Sequence, residues 1–371
     1  MKFIEVMTGR MRPRHRRFQE AFSKLCNDLG LEYSLCPLSI SRRLSMLASM
    51  RCRGVRCVNY DKEGSVALLH QALNCGSMQY IAEFDVPLGL YGYNLSRYRQ
   101  KYNEARRLME RPQLRAILTF SNWARRSFAL HFGQEIEAKC RVVYPLACFS
   151  AKPASYHECR YDFAFVSTRF RIKGGPEAVR AFQSVCYGKN SDSRFCVITN
   201  LTEAEKYLGK LGRYKGIDWY DAKLGDDEIA DILTKTRCLV HPSLSDSFGV
   251  VVLEALAAGC AVITTKFASF EEMVGQDNGW LLAAPTATVV GDTYITEYGN
   301  ADYHEGFLNT LSLHRFEAEI ASCMSEFLND TERSKQMMDA SYKRYREHFS
   351  LGAWQQNMRN ILFECFPELQ S

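Results

Sequence analysis

The sequence predicts an α/β protein: two Rossmann-like domains with parallel sheets facing an interdomain cleft. Three observations predict this. The chain of 371 residues is too long for one ordinary core and long enough for two. Its apolar segments alternate between strand-like runs and amphipathic helices, in two series separated by an aperiodic stretch. The charge also divides. Residues 1–150 hold 24 Lys/Arg against 12 Asp/Glu, net +12, while 151–371 hold 23 against 30, net −7, so the halves should meet different partners.

The first series opens with the strand "KFIEVM". Phe18, Ala21, Phe22, Leu25, Cys26 and Leu29 recur at helical spacing and Gly30 follows as a stop, which predicts a helix over 15–29. "LEYSLCPL" and "GVRCVNY" read as strands, 65–75 as a helix, and "MQYIAEF" as a strand. A basic helix over 95–111 ends at Pro112, and "LRAILTF" is a strand. "NWARRSFALHF" is a helix capped by Asn122 and closed by Gly133, and "CRVVYPL" ends the series. Strands "YDFAFVS", "RFCVITN", "IDWYD", "CLVHPS", "AVITT" and "GWLL" form the second series, with helices near 175–187, 202–211, 226–236, 248–258 and 267–274 between them. Residues 286–314 read as an insertion, followed by long helices over 316–347 and a last one over 351–364. With the linker at 147–160, the expected domains are 1–150 and 151–347. The terminal stretch 348–371 is expected to pack back toward the first domain.

No window approaches eighteen uninterrupted apolar residues, and the basic N-terminus has the reverse order of a signal peptide, so a cytoplasmic protein is expected. The 14 cysteines form no C-x-x-C pair and read as reduced buried thiols. The histidines form no H-E-x-x-H. No metal and no cofactor are expected.

The chemistry concentrates in "HPSLSDSFGVVVLEALAAGC", residues 241–260. Pro242 ends a strand, "SLSDS" is a loop, and "FGVVVLEALAA" is a helix stopped by Gly259. Gly249 at the helix entrance lets a ligand approach the backbone, where unpaired N–H groups and the dipole favour a phosphate. Glu254, inside the helix, suits a ribose diol, and Asp246 on the loop suits a second polyol. Isolated carboxylates here would read as a helix cap and a solvated Glu. Flanked by Leu253, Ala255, Leu256 and Ala257, however, Glu254 has no polar face to belong to. In "FAFVSTRFRIKGGPEAVRAF", residues 163–182, Lys173 precedes Gly174 at a loop–helix junction, where cations suit a pyrophosphate. Arg169 is the partner cation, with Arg171 as its rival.

"PSLSDSFGVVVLEALAAGCAVITT" resembles the donor-site signature of retaining glycosyltransferase family 4, the glycosyl transferases group 1, which have the GT-B fold. The signature is an acid, seven residues and Glu, with Phe-Gly after the first acid. The first acid is usually Glu and here is Asp246. Residues 163–182 resemble the family's Arg…Lys-Gly strand–loop–helix. The likeness covers roughly 160–283 and implies a retaining transfer from a nucleotide-diphosphate sugar, UDP- or GDP-linked. Lys173, Arg169, Asp246 and Glu254 would be the catalytic set, and Ser247, Phe248, Gly249, Val250 and Gly174 would bind the donor. Attack would occur on the same face of the sugar, with no side-chain nucleophile. No D-x-D occurs, so helix ends and cations should stand in for a metal.

The acceptor is expected to be a glycan or glycolipid. Arg10, Arg12 and Arg14, before the first helix, read either as a solvated basic loop or as a contact for an anionic acceptor or an anionic membrane. A basic set from Arg97 to Arg126, 9 Lys/Arg against 2 Asp/Glu, extends that surface. Glu83 and Asp85 are further acceptor-side candidates, with surface carboxylates as the equal alternative. The alternatives are a same-fold epimerase or phosphorylase, a catalytically silent relative, or a basic nucleic-acid-binding protein. The last is not expected, because no aromatic–basic signature accompanies the charge.

Overall fold

Strands at the centre of a parallel sheet are covered on both faces, so they read as continuous apolar runs rather than alternating ones. That property organises both halves of the chain. The computed structural model describes residues 1–6, 13–37, 44, 54–147, 153–186, 192–285, 289–290, 293–294, 306, 308 and 311–370. The chain divides into two compact units, one mainly residues 1–146 with 350–371, the other mainly 147–289 with 301–349.

Unit one contains β1 (Lys2–Val6), β2 (Glu32–Cys36), β3 (Cys57–Val58), β4 (Ser65–His70), β5 (Leu73–Asn74), β6 (Tyr80–Phe84), β7 (Leu114–Thr119) and β8 (Cys140–Val142). Six of them form a parallel sheet in the order β2-β1-β4-β6-β7-β8, and β3 pairs with β5. Counting only the six, this is the doubly wound order 2-1-3-4-5-6. The helix expected over 65–75 is instead the central strand β4. "SVALLH" is buried from Val66 to His70, and a run of Ala and Leu flanked by neighbours on both sides satisfies either period. Helix Pro13–Asp28 begins earlier than expected and takes in Arg14. Helix Asn122–Phe132 is capped by Ser121, whose hydroxyl accepts from Ala124 N at 3.0 Å, rather than by Asn122.

The core of this unit is completed from the far end of the chain. Helix Leu351–Cys365 lays Trp354, Met358, Ile361 and Leu362 among Phe3, Phe18, Phe22, Leu68 and Leu118. Phe18 meets the Trp354 ring edge-on at 5.4 Å, and Phe3 meets Phe366 at 5.7 Å. Arg141 pairs with Glu364, and Asn357 donates to the Val142 carbonyl at 2.8 Å.

Unit two contains β9 (Tyr161–Ser167), β10 (Phe195–Thr199), β11 (Ile217–Asp221), β12 (Thr236–His241), β13 (Ala261–Lys266) and β14 (Gly279–Ala283). All ladders are parallel, in the order β11-β10-β9-β12-β13-β14, the Rossmann order 3-2-1-4-5-6. Phe163, Phe182, Phe195 and Ile263 pack with Ile320, Met324 and Phe327 of helix His314–Asn329. The acids Asp226, Asp227 and Glu228 lie exposed in a helix first turn, where Glu228 accepts from Gly225 N at 2.9 Å. Cys26, Cys140, Cys196, Cys238 and Cys260 are buried free thiols. Among the described residues no helix is long and apolar enough to cross a membrane.

Because Trp354 is 5% exposed between the sheet and helix Pro13–Asp28, Trp354→Ala should destabilise unit one by about 3–5 kcal/mol. Urea unfolding followed by circular dichroism checks this.

Candidate functional site

In a 3-2-1-4 sheet the strand order reverses between the first and fourth strands, and the two following loops leave side by side there. In unit two those strands are β9 and β12. Their loops, 168–174 and 242–249, carry the two cation- and carboxylate-bearing motifs of the sequence. The loops are stitched together: Leu244 N donates to the Ile172 carbonyl at 2.9 Å. Glu203 holds the first from below, accepting from Phe170 N at 2.9 Å and Arg171 N at 3.1 Å. Thr265 and Ser269 hold the second through the carbonyls of Ser243 and Phe248, both at 2.7 Å.

Two glycines make the approach possible. Gly174, at φ +73°, lies so close to the Pro242 carbonyl that a Cβ would collide with it. Gly249, at φ +82°, caps helix Val250–Ala257 with its Cα against the Phe270 ring. Both positions combine a left-handed backbone with a contact that excludes a side chain.

Across this junction Lys173 Nζ lies 2.6 Å from Asp246 Oδ2 and 2.5 Å from the Ser245 carbonyl, both side chains nearly buried. Asp246 Oδ1 accepts from Ser247 N at 2.8 Å and Phe248 N at 3.2 Å. Burial alone would raise the Asp246 pKa, but the Lys173 charge and the neighbouring His241 ring hold it below the usual carboxylate range. Burial lowers the Lys173 pKa, Asp246 opposes it, and the Arg169 charge lowers it further.

Glu254 lies in the half-open part of the stretch. From 238 to 265 every residue is buried except Ser247, Val250, Val251 and Glu254. Within the helix Val250, Val251 and Glu254 are spaced i, i+1, i+4, which puts them on one side, and Ser247 lies on the loop that leads into it. The helix therefore has one partly open strip, contrary to the fully apolar reading of its sequence, and that strip runs from the acidic loop to Glu254.

The two arginines separate. Arg171 is buried, donating to Glu177 Oε1 and to the Leu308 carbonyl, each at 3.0 Å, so its guanidinium is committed to the interior. Arg169 is half-buried. His241, unmarked by the sequence reading, is 1% exposed, with Nε2 3.6 Å from Asp246 Oδ2. Its place as the last residue before Pro242 was the available signal.

In unit one, Glu83 and Asp85 are buried, not surface carboxylates. Glu83 Oε2 lies 2.8 Å from His70 Nδ1, and His70 Nε2 lies 3.0 Å from Glu5 Oε1. Glu5 also accepts from Tyr33 and from Gln19. Asp85 accepts from Gln71 at 3.0 Å and from Tyr93 at 2.7 Å. Register explains the triad: His70 is opposite Glu83, and Glu5 is opposite Leu68, two residues before His70 on the same face. Arg10 and Arg12 lie outside the described residues, as does the Arg14 side chain.

Residues 153–296 match the model of the family described as glycosyl transferases group 1. The fold is GT-B. The chain is similar to HepE from Anabaena, solved with UDP and glucose, at 12% identity and TM-score 0.62, covering 98% of this chain and 99% of that one. It is similar to the solved glycosyltransferase WaaG at 13% identity and TM-score 0.59, covering 97% and 99%. In sequence, it is 26% identical over 114 residues to the phosphatidylinositol N-acetylglucosaminyltransferase gpi3 subunit of Schizosaccharomyces pombe, across 31% of this chain and 24% of that protein. It is 24% identical over 123 residues to the lipopolysaccharide glucosyltransferase WaaG of Escherichia coli, across 32% of each. The alignments thus span a third or less of these relatives' own lengths.

Arg171→Met should leave Glu177 buried and unpaired and destabilise the GT-B chain by about 3–5 kcal/mol, whereas Arg169→Met should leave urea unfolding near wild type. For His70, burial favours the neutral ring, but Glu83 and Glu5 outweigh it and carry the pKa up to about 10. A raised histidine stabilises fully below its ordinary value of 6.5 and loses that contribution as pH climbs toward 10. Wild-type unfolding free energy should fall across that window, and His70→Gln should flatten the fall.

Proposed function

We propose that the protein is a retaining glycosyltransferase of family 4, moving a sugar from a nucleotide-diphosphate sugar to a hydroxyl of a glycan or lipid-linked acceptor without a metal. The observation that carries this reading is the junction of Lys173 with Asp246, from which a half-open strip leads to Glu254. Diphosphate charge, sugar hydroxyls and ribose each find a matching group there. Solved structures of HepE with UDP and with UDP-glucose support a UDP-linked donor. The names of the gpi3 subunit and WaaG support a lipid-linked acceptor.

In this mechanism Lys173 and Arg169 face the departing diphosphate, with the N–H groups at Gly249 and Val250 adding to them. Negative charge grows on that leaving group, so preorganised cations lower the barrier more than they tighten ground-state binding. Glu254 accepts from the ribose hydroxyls and Asp246 from the sugar hydroxyls. Ser247, Phe248 and Gly174 shape the donor site. The acceptor hydroxyl attacks the face that the diphosphate leaves and passes its proton to a departing oxygen. Arg10, Arg12 and Arg14 are proposed to meet an anionic acceptor or the membrane surface that bears it.

A thermal-shift screen of UDP, GDP and their sugars tests the reading. A nucleotide at a hundred times its Kd should stabilise the fold by about 2.7 kcal/mol. Glu254→Ala should abolish that shift and nucleotide-sugar turnover, and EDTA should leave turnover intact. No shift with any nucleoside diphosphate would overturn the assignment, and loss in EDTA restored by manganese would overturn the metal-free mechanism.

A further inference from the structure

His241 closes β12 inside the candidate site, 1% exposed, and among the described residues neither of its ring nitrogens has a hydrogen-bond partner. Its ring lies nearly parallel to Phe165, 27° between planes at 6.2 Å, and meets Phe270 edge-on at 6.0 Å. Such packing would suit a phenylalanine. A neutral imidazole there instead carries a buried N–H, and buried donors are almost always paired. Burial does favour the neutral form.

The neighbour is the oxygen that Lys173 holds. Asp246 Oδ1 is fixed by two backbone N–H groups, while Oδ2 lies 2.6 Å from Lys173 Nζ and 3.6 Å from His241 Nε2. The second distance is a few tenths of an ångström beyond hydrogen-bond range. A rotation of the carboxylate about its anchored oxygen closes it. The carboxylate is thus placed between the Lys173 ammonium and the neutral, buried His241 ring.

We propose that His241 is a positioning residue. When Lys173 turns to the donor diphosphate, the Nε2–H of His241 donates to Asp246 Oδ2 and holds the carboxylate, still ionised, for the hydroxyls of the donor sugar. The inference rests on the reading of the site as a nucleotide-diphosphate site. It explains why a histidine occupies an aromatic packing position, and why Asp246 does not lose all support for Oδ2 when its ion pair is broken.

The test uses the full chain, with UDP as the probe. Side-chain ¹⁵N NMR should show His241 as the Nε2–H tautomer, with a slowly exchanging N–H signal that appears when UDP is added and is absent in Asp246→Asn. In calorimetry His241→Phe, which keeps the ring packing, should bind UDP about tenfold more weakly, and His241→Gln should recover most of that loss. Lys173→Met should show the His241 signal without UDP. If UDP binds while the His241 nitrogens do not change, or His241→Phe binds as wild type does, the inference is overturned and the nucleotide site stands. If neither UDP nor GDP binds to the folded wild-type chain, the reading of the site fails and the inference fails with it.

Discussion

The site in unit two depends on one buried ion pair. Lys173 and Asp246 come from different loops, and a charge removed from water is tolerated only if its partner is in place. Each therefore requires the other loop to be correctly built. That explains the density of supporting bonds: Glu203 beneath the first loop, Thr265 and Ser269 beneath the second, and the Leu244–Ile172 bond between them. It also explains the two left-handed glycines, since any side chain at 174 or 249 would force the loops or their supports apart. A pair held this way is a charged device under tension: removing either partner leaves the other buried and uncompensated.

Unit one shows the same economy in another form. Glu5, His70 and Glu83 lie on three neighbouring strands and face one another because parallel register brings them to one side of the sheet. Tyr33 and Gln19 complete the hydrogen bonding of Glu5. Three ionisable groups in an apolar interior are tolerable only as a set. The same unit takes its last core helix from residues 351–365, so its hydrophobic core draws on both ends of the chain.

What was legible in the sequence follows from what is local. The β-α alternation, the helix stops at Gly30, Gly133 and Gly259, the acidic first turn at 226–228 and the acid-x7-Glu spacing all depend on neighbours within a turn or two. The choice of Lys173, Asp246 and Glu254 drew on these motifs together with their resemblance to a family signature. Residues 65–75 were misread because a fully buried strand has no period of its own, and only its position between β1 and β6 makes "SVALLH" a strand.

The sequence by itself determined the β-α alternation, the two glycine-marked motifs and the residue types they carry. The tertiary structure alone decided that the motifs meet, because adjacency of β9 and β12 is a property of sheet order and not of spacing. It decided between the arginines, since Arg171 is recognisable as structural only when Glu177 and the Leu308 carbonyl are seen around it. It withdrew Glu83 and Asp85 from the surface and brought His241 to the edge of Asp246. Each of these depends on which side chains share a small volume, and that depends on contacts between residues tens of positions apart, which no local pattern encodes.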